Sequence, residues 1–389
     1  MNEITDPIAY DKGYQEAREQ DAAAADNYVR HTLIGAPLLD PVLAEIADLP
    51  PPDLHRFVGV GIERDDDELR KAPKALREFF EEVNTPPPWC DYKDFEPAAR
   101  VFYTEVNNML VAFVCGVLIE GFTTLIAKSF NITGRVTRGP GDRRLRQNNR
   151  HLMEIFFPGG LERDGEGWKT TMRVRFVHGQ VRRLMGPCQD WHKESWGVPV
   201  SAAHLGLASV VFSLRLLQHS TLIGAQYTSE QEESVMRLWR YTGYLMGVPE
   251  SILFTDREEA AHLLDIGLMC EPPPTLDSVI MANSLINAIP VVANIESPHE
   301  ARAVKSLAYG IGRSLLGHEM ADQLRFPKKG KVTSLYKWKF LQAIDRMRRD
   351  KKSIKAENFA QVLDISQYDD VGISYKLPDH VYSSKSGDW

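Results

Sequence analysis

The chain has 389 residues and a formal net charge of −7, with 43% hydrophobic and 25% charged residues. That is the composition of a folded protein with a large core, and the acidic balance argues against nucleic acid as a partner. Four scattered cysteines, Cys90, Cys115, Cys188 and Cys270, form no CxxC pair, which excludes a disulfide framework or a cysteine zinc site and fits reduced thiols in the cytoplasm.

In chain order, residues 1–36 read as an amphipathic helical arm that stops at Gly35-Ala36-Pro37. The N-terminus lacks a basic segment followed by an apolar one, so no secretory signal is expected. Asp40-Pro41 can open a second helix, which the Pro50–Pro52 run should end. Helix formers return from Asp65 to Val83, and Pro86–Pro88 makes a linker into Trp89-Cys90-Asp91. Pro97 to Ala127 reads as a long helical region, apolar in its second half. Its longest apolar run, Met109 to Ile119, is too short to cross a bilayer and suits a buried helix. A turn-rich stretch, 131–142, precedes a helix from Arg143 to Phe157 with Asp142 as its N-cap. After the loop 158–167 comes a helix over Thr171–Met185, then helices over 201–218 and 230–246. Further helices fill 256–320, with breaks at Pro272–Pro274 and around 288–298. Arg325 to Lys355 is basic with Tyr336, Trp338 and Phe340 interleaved. It reads as a solvated helix face, with peripheral membrane contact as the alternative, and the end from Ser383 is expected to be disordered. No alternating strand pattern and no repeat is present. The expected fold is all-α: an arm (1–36), a single large helical domain (37–322) and a basic C-terminal extension (323–389).

Charge is uneven along the chain. From Asn131 to Gly186 there are twelve Lys/Arg against five Asp/Glu. Within this zone Thr171, Val174, His178, Val181 and Met185 share one helix face, and Arg175 and Arg182 flank His178 one turn on either side. On the preceding helix Arg144, Asn148, His151 and Ile155 share a face with Gln147 at its edge, while Arg146, Asn149 and Arg150 point away. By periodicity alone His178 is better read as a core histidine than as a ligand. Other signals are weaker. Gly59-Val60-Gly61 and Gly310-Ile311-Gly312 complete no dinucleotide fingerprint, and the ExxH spacing at Glu296–His299 contains Pro298, which breaks the helix a di-iron site needs. Haem b accounts best for the basic zone, because it needs one axial nitrogen, an apolar slot and cations for two propionates.

At these residues the sequence resembles the latex clearing protein (rubber oxygenase) family and its MpaB-type relatives. The resemblance rests on TGRV at 133–136, RRLRQNNRHL at 143–152, VRFVHGQVR at 174–182, WGVPVS at 196–201 and LWRYTGYLMGVP at 238–249, over roughly residues 25 to 250. It implies an all-α fold enclosing haem b iron, with His178 as the axial metal ligand and Arg175 as the neighbouring motif arginine. By their place on one flank of His178, Arg175 and Arg182 are together expected to serve the propionates. Arg144 would be the pocket arginine, and Asn148, Gln147 and His151 would face the oxygen side. It also implies cleavage of an isoprenoid carbon–carbon double bond by dioxygen. Rubber-cleaving members carry Lys and Thr where this chain has Gln147 and Asn148, so a smaller hydrophobic alkene or lipid is the expected substrate. Glu120 is the candidate for the family's acidic residue, with an ion pair as its structural alternative. Two rivals stand beside this reading: a haem-free helical protein that binds a lipid or a partner, and a haem sensor without turnover.

Overall fold

The structure, a computed structural model, describes residues 6–132, 141–328 and 338–339; the side chains of residues 141–144 are not among them. The TGRV stretch, the Arg144 side chain and most of the C-terminal extension therefore lie outside the described residues. The protein is all-α and forms one domain, and no strand occurs among the described residues.

The early prolines shape helix starts as well as ends. α1 spans Asp11–His31 and α2 Leu39–Glu45. α2 stops ahead of the Pro50–Pro52 run, and Pro50 then caps α3, Pro51–Glu63. A proline in the first helical turn loses no helical hydrogen bond, so the run opens a helix rather than only ending one. α4 (Asp66–Leu69) and α5 (Lys74–Val83) follow.

The region read as one long helix from Pro97 is broken. α6 covers Glu96–Thr104 and α7 Val106–Ala112; a π-helical turn, Phe113–Val117, joins α7 to α8, Leu118–Gly121, and α9 is Ile126–Ile132. At Glu105 the backbone leaves helical values (φ −111°, ψ 19°) and the chain bends by 91°. No proline or glycine marks that bend. Its cause is tertiary, because α6 and α7 bury their apolar faces against different partners, described below.

α10 (Gly141–Phe156) and α11 (Glu166–Met185) form a helical hairpin, and α12 is Lys193–Trp196. α13 (Ala202–Val210) passes through a second π-helical turn, Val211–Arg215, into α14, Leu216–Leu222. α15 is Ser229–Leu245, opened by a Thr228/Gln231 capping box, and α16 is Arg257–Cys270, capped by Asp256. α17 (Leu276–Val292) runs through Pro290, since a proline in the last turn removes only one helical bond, and the chain breaks at 293–297, inside the expected 288–298. α18 (Pro298–Leu316) and α19 (His318–Gln323) complete the order.

The α13–α14 rod is the centre, buried nearly along its length and packed by α1, α7, α15 and α16. α6 packs on α15 and α7 on α14, which explains the bend between them. The N-terminal helix α1 is part of this core. α1 lies along α16 so closely that a Cβ on Gly13 would fall 2.1 Å from the Met269 carbonyl oxygen.

Two buried histidines on the rod each meet a carboxylate. His204 Nε2 lies 3.3 Å from Glu271, which also accepts from the Tyr28 hydroxyl (2.8 Å) and the Leu125 amide (3.0 Å). His219 Nε2 lies 2.9 Å from Glu120, whose carboxylate is gripped by Arg215 Nε at 2.8 and 3.0 Å. Glu120 is therefore a structural ion pair joining α8 to α14. For Glu271, burial alone would raise the pKa; the charge and hydrogen bond of His204 outweigh it and hold the carboxyl below its ordinary 4.5. Its stabilising contribution is thus present above about pH 4.5 and is lost as pH falls through the lower folded value. Glu271→Gln should destabilise the protein by about 3 kcal/mol at pH 7, with the difference from wild type shrinking below pH 4.5. Urea unfolding across that range checks it; a pH-independent difference would show that the carboxylate charge is not what matters.

Candidate functional site

The site is built on the α10–α11 hairpin. The connection turns at Gly159 (φ +74°), and a Cβ on Gly165 would fall 2.3 Å from the Gly159 carbonyl oxygen. Arg163 staples this loop to the body. It donates to the carbonyls of Ile62 (3.1 Å) and Gly61 (2.8 Å), bonds Asn84, and lies over the Trp168 ring at 3.8 Å.

One hydrogen bond sets the hairpin's register. His151 Nε2 meets Thr171 Oγ1 at 2.8 Å, and the Thr171 hydroxyl donates to the Gly167 carbonyl at 2.7 Å. Threonine has one proton to give, and Gly167 takes it, so Nε2 of His151 must donate and Nδ1 keeps the lone pair. Burial pushes the His151 pKa down to about 4, so the ring is neutral at pH 7. Seven residues is two helical turns. Counting back from His151 and forward from Thr171 brings the backbone of Arg144 level with His178, about 10 Å along the hairpin from the His151–Thr171 bond. Gln147 and Asn148, both half-buried, fall between, level with Arg175 and Val174 respectively. The structure thus brings the two predicted faces together in one hairpin but keeps His151 and His178 two turns apart. His178 itself is half-buried on the flank it shares with Val174.

The face of α10 expected to point away is not all exposed. α10 lies between α11 and α17, so Asn149 is buried at 3% exposure, and Arg146 donates to the Val291 carbonyl at 3.2 Å. Arg150 makes an i,i+4 ion pair with Glu154.

The two arginines flanking His178 have different surroundings. Arg182 is held by Asp40 through three bonds of 2.8–2.9 Å and donates to the Val200 carbonyl at 3.1 Å. Val200 carries φ +48°, a strained value for a β-branched residue. The strain is sustained because Val198 and Ala202 donate to the Thr32 and Ile34 carbonyls on either side of it. The WGVPVS stretch therefore clamps the end of α1 to α11 through Arg182.

Arg175 is buried at 3% exposure over the Phe79 ring, and donates to the Leu245 carbonyl at 3.2 Å. Its Nε has no hydrogen-bond partner, and no carboxylate pairs with it among the described residues. Gly247 (φ +86°) permits this burial, since a Cβ there would fall 2.8 Å from Arg175 Nε. Burial, then the nearby Arg182 charge, lower its pKa to about 10, so it remains a cation at pH 7. A buried guanidinium with unspent hydrogen-bonding capacity is a receptor for an anion.

Sequence reasoning missed Thr171 as the register-setting partner, although its position seven residues before His178 was visible. It also missed Asp40, Asn149 and Gly247, whose roles come from distant segments. Among the described residues no group of three or more His, Cys, Asp or Glu side chains could hold a metal ion by itself. An iron here would depend on a cofactor's own ligands together with one imidazole.

Comparison with known proteins agrees with this architecture. Residues 100–346 match the catalytic-domain model of the ER-bound oxygenase mpaB/B′/rubber oxygenase family. The chain belongs to that family of oxygenases. The match starts later and runs further toward the C-terminus than the motif resemblance. The fold is similar to that of latex clearing protein LCP in its closed state, with a TM-score of 0.67 at 17% identity, covering 90% of this chain and 95% of that one. No curated protein is similar enough in sequence to count as a relative.

His151 makes a testable contribution. Its folded pKa of about 4 lies below the ordinary 6.5, so the unfolded chain binds its proton first as pH falls, and stability is lost between those values. His151→Gln keeps a donor for Thr171 and removes the titration. The fall in melting temperature from pH 6.5 to pH 4 should be smaller in that variant than in wild type. Equal losses would mean that His151 does not titrate in this window.

Proposed function

We propose that the protein is a haem b-dependent oxygenase that uses dioxygen to cleave a double bond in a hydrophobic alkene of isoprenoid or lipid type. The observation that carries the reading is Arg175, a buried cation with an unpartnered Nε, one helical turn before the imidazole of His178.

The residues present fit the cofactor. His178 would hold the iron through a ring nitrogen, and Arg175, whose Nε has no hydrogen-bond partner, would bind one propionate. Arg182 is committed to Asp40, so its part is to add positive potential beside Arg175 and to lock α11 in place. When bound, the haem supplies the dioxygen-binding and redox chemistry. The overall reaction needs no outside reductant: both oxygen atoms of dioxygen end in the two carbonyl groups formed from the broken C=C bond.

The chain's own residues do the rest. Gln147 and Asn148 place neutral amide donors and acceptors on the α10 side, where rubber-cleaving members have Lys and Thr. An amide can orient a polar oxygen by hydrogen bonding but supplies neither charge nor a transferable proton. Arg144, whose backbone is level with His178, is the cation of that side. Neutral His151 can accept a proton at Nδ1, two turns away. The four cysteines are free thiols, in keeping with a cytoplasmic setting, and no single described helix is long and apolar enough to cross a membrane.

The absorption spectrum tests the assignment. The purified protein should show a Soret band, and His178→Ala should lose it while keeping its helix content by circular dichroism. Full haem occupancy in that variant would remove His178 as the ligand. Asn148→Ala should retain the haem and change the rate at which the dioxygen adduct of the reduced protein decays; an unchanged rate would place Asn148 away from the oxygen.

A further inference from the structure

A second feature lies at the far end of α10. A cleft of about 930 Å³ opens between α6 and the turn that follows α10. That is the upper end of the size range of small-molecule sites, ~300–1,000 Å³. Its apolar surface comes from Ala99, Tyr103 and Phe157, backed by a fully buried layer of Ile155, Phe156, Leu161 and Leu238. Phe156 is stiffened from behind by stacking on Phe102 at 4.5 Å. At the rim Phe157 is 48% exposed, one of the few large apolar side chains this chain leaves in water. A ligand in the cleft would cover it.

The charges around the cleft cancel. Lys93 and Arg100 face Glu96 and Glu162, and Arg100 is already paired with Glu96 at 3.1 Å. At one end the cleft adjoins a polar hollow of about 510 Å³, which shares Tyr92, Gly159 and Glu162 with it. That hollow is also lined by Asp164 and Arg163, and Arg163 is engaged by the Gly61 and Ile62 carbonyls. In the hollow Glu162 and Asp164 outnumber Arg163, which is spent on backbone carbonyls; Asp164 also lies 3.7 Å from Arg64, and Lys93 stands on the cleft side. The carboxylate excess at this end disfavours an anionic headgroup, while the Asn84 side chain and the open backbone suit a neutral polar one.

We propose that this cleft is a binding site for a neutral amphiphile: an extended hydrocarbon body against Tyr103 and Phe157, with an uncharged polar end, such as an alcohol, beside Glu162. Ile155 lines the cleft and stands one turn from His151 on α10, so a ligand here lies against the same helix that carries Asn148. Its role as substrate, or as a ligand that tunes substrate entry, rests on the oxygenase reading; binding itself does not.

The experiment uses the purified full-length protein with Nile red as reporter and a matched pair of competitors, dodecan-1-ol and dodecanoate, at pH 7.5. Dodecan-1-ol should displace the dye at about tenfold lower concentration than dodecanoate. Glu162→Gln should narrow that ratio by improving dodecanoate. Ala99→Trp, which fills the cleft, should weaken dodecan-1-ol about tenfold with an unchanged circular dichroism spectrum. Should Ala99→Trp not fold, Phe157→Asp, at a solvent-facing position, should weaken dodecan-1-ol in its place. Dodecanoate competing as well as the alcohol, or a folded Ala99→Trp or Phe157→Asp protein binding the alcohol as wild type does, would overturn the proposal. His178→Ala separates the two readings: it should lose the Soret band and still bind dodecan-1-ol, so loss of haem chemistry and loss of the cleft site are read independently.

Discussion

The hydrogen bond from His151 to Thr171 fixes the register on which the candidate site depends. Two adjacent helices can slide past each other by a turn at modest cost if only apolar side chains hold them. A buried donor that can be satisfied at one position removes that freedom, because a slipped register would leave it unpaired. The Thr171 hydroxyl is itself spent on Gly167, so the direction of the bond and the tautomer of His151 follow together. The glycine turn and the Arg163 staple act on the same hairpin from its closed end. Levelling the backbone of Arg144 with His178, Gln147 with Arg175, and Asn148 with Val174 is a consequence of this one alignment.

Around that hairpin, charge is buried only where it is answered. Glu271 and Glu120 fasten the two ends of the α13–α14 rod to its surroundings through His204 and His219, and Asp40 answers Arg182. Each is costly to desolvate and repays the cost only with its partners in place, so these pairs specify a unique packing more than they add stability. Arg175 is the exception. It is as deeply buried as the others, stays charged at pH 7, and has hydrogen-bonding capacity left over. Among the described residues Glu271, Glu120 and Arg182 have partners, and Arg175 keeps a buried Nε without one. Oxygenase membership gives the class of chemistry, and Arg175 lies one helical turn from His178 on α11.

The helix α10 serves two environments. His151 in its second half bonds α11, and Phe157, just past its last residue, stands at the rim of the cleft. A substrate long enough to reach between them would have its reactive part and its remote part held by the same rigid element. Binding energy gained on the remote part can then be used for orientation at the reacting bond.

Periodicity and motif order were sufficient for the all-α fold, for α10 and α11 within a few residues, and for the stripe holding His178. Those features are local: a helix face repeats every three or four residues whatever surrounds it. The bend at Glu105, the helix opened by Pro51 and the run of α17 through Pro290 were not legible, because neighbouring helices and not nearby residues set them. The two arginines show the division most plainly. Sequence spacing alone placed Arg175 and Arg182 on one flank of His178 and gave no means to tell them apart. Tertiary structure separated them, because a guanidinium's role is decided by which oxygens reach it. Asp40 on α2, 142 residues away, reaches Arg182, and among the described residues no carboxylate pairs with Arg175.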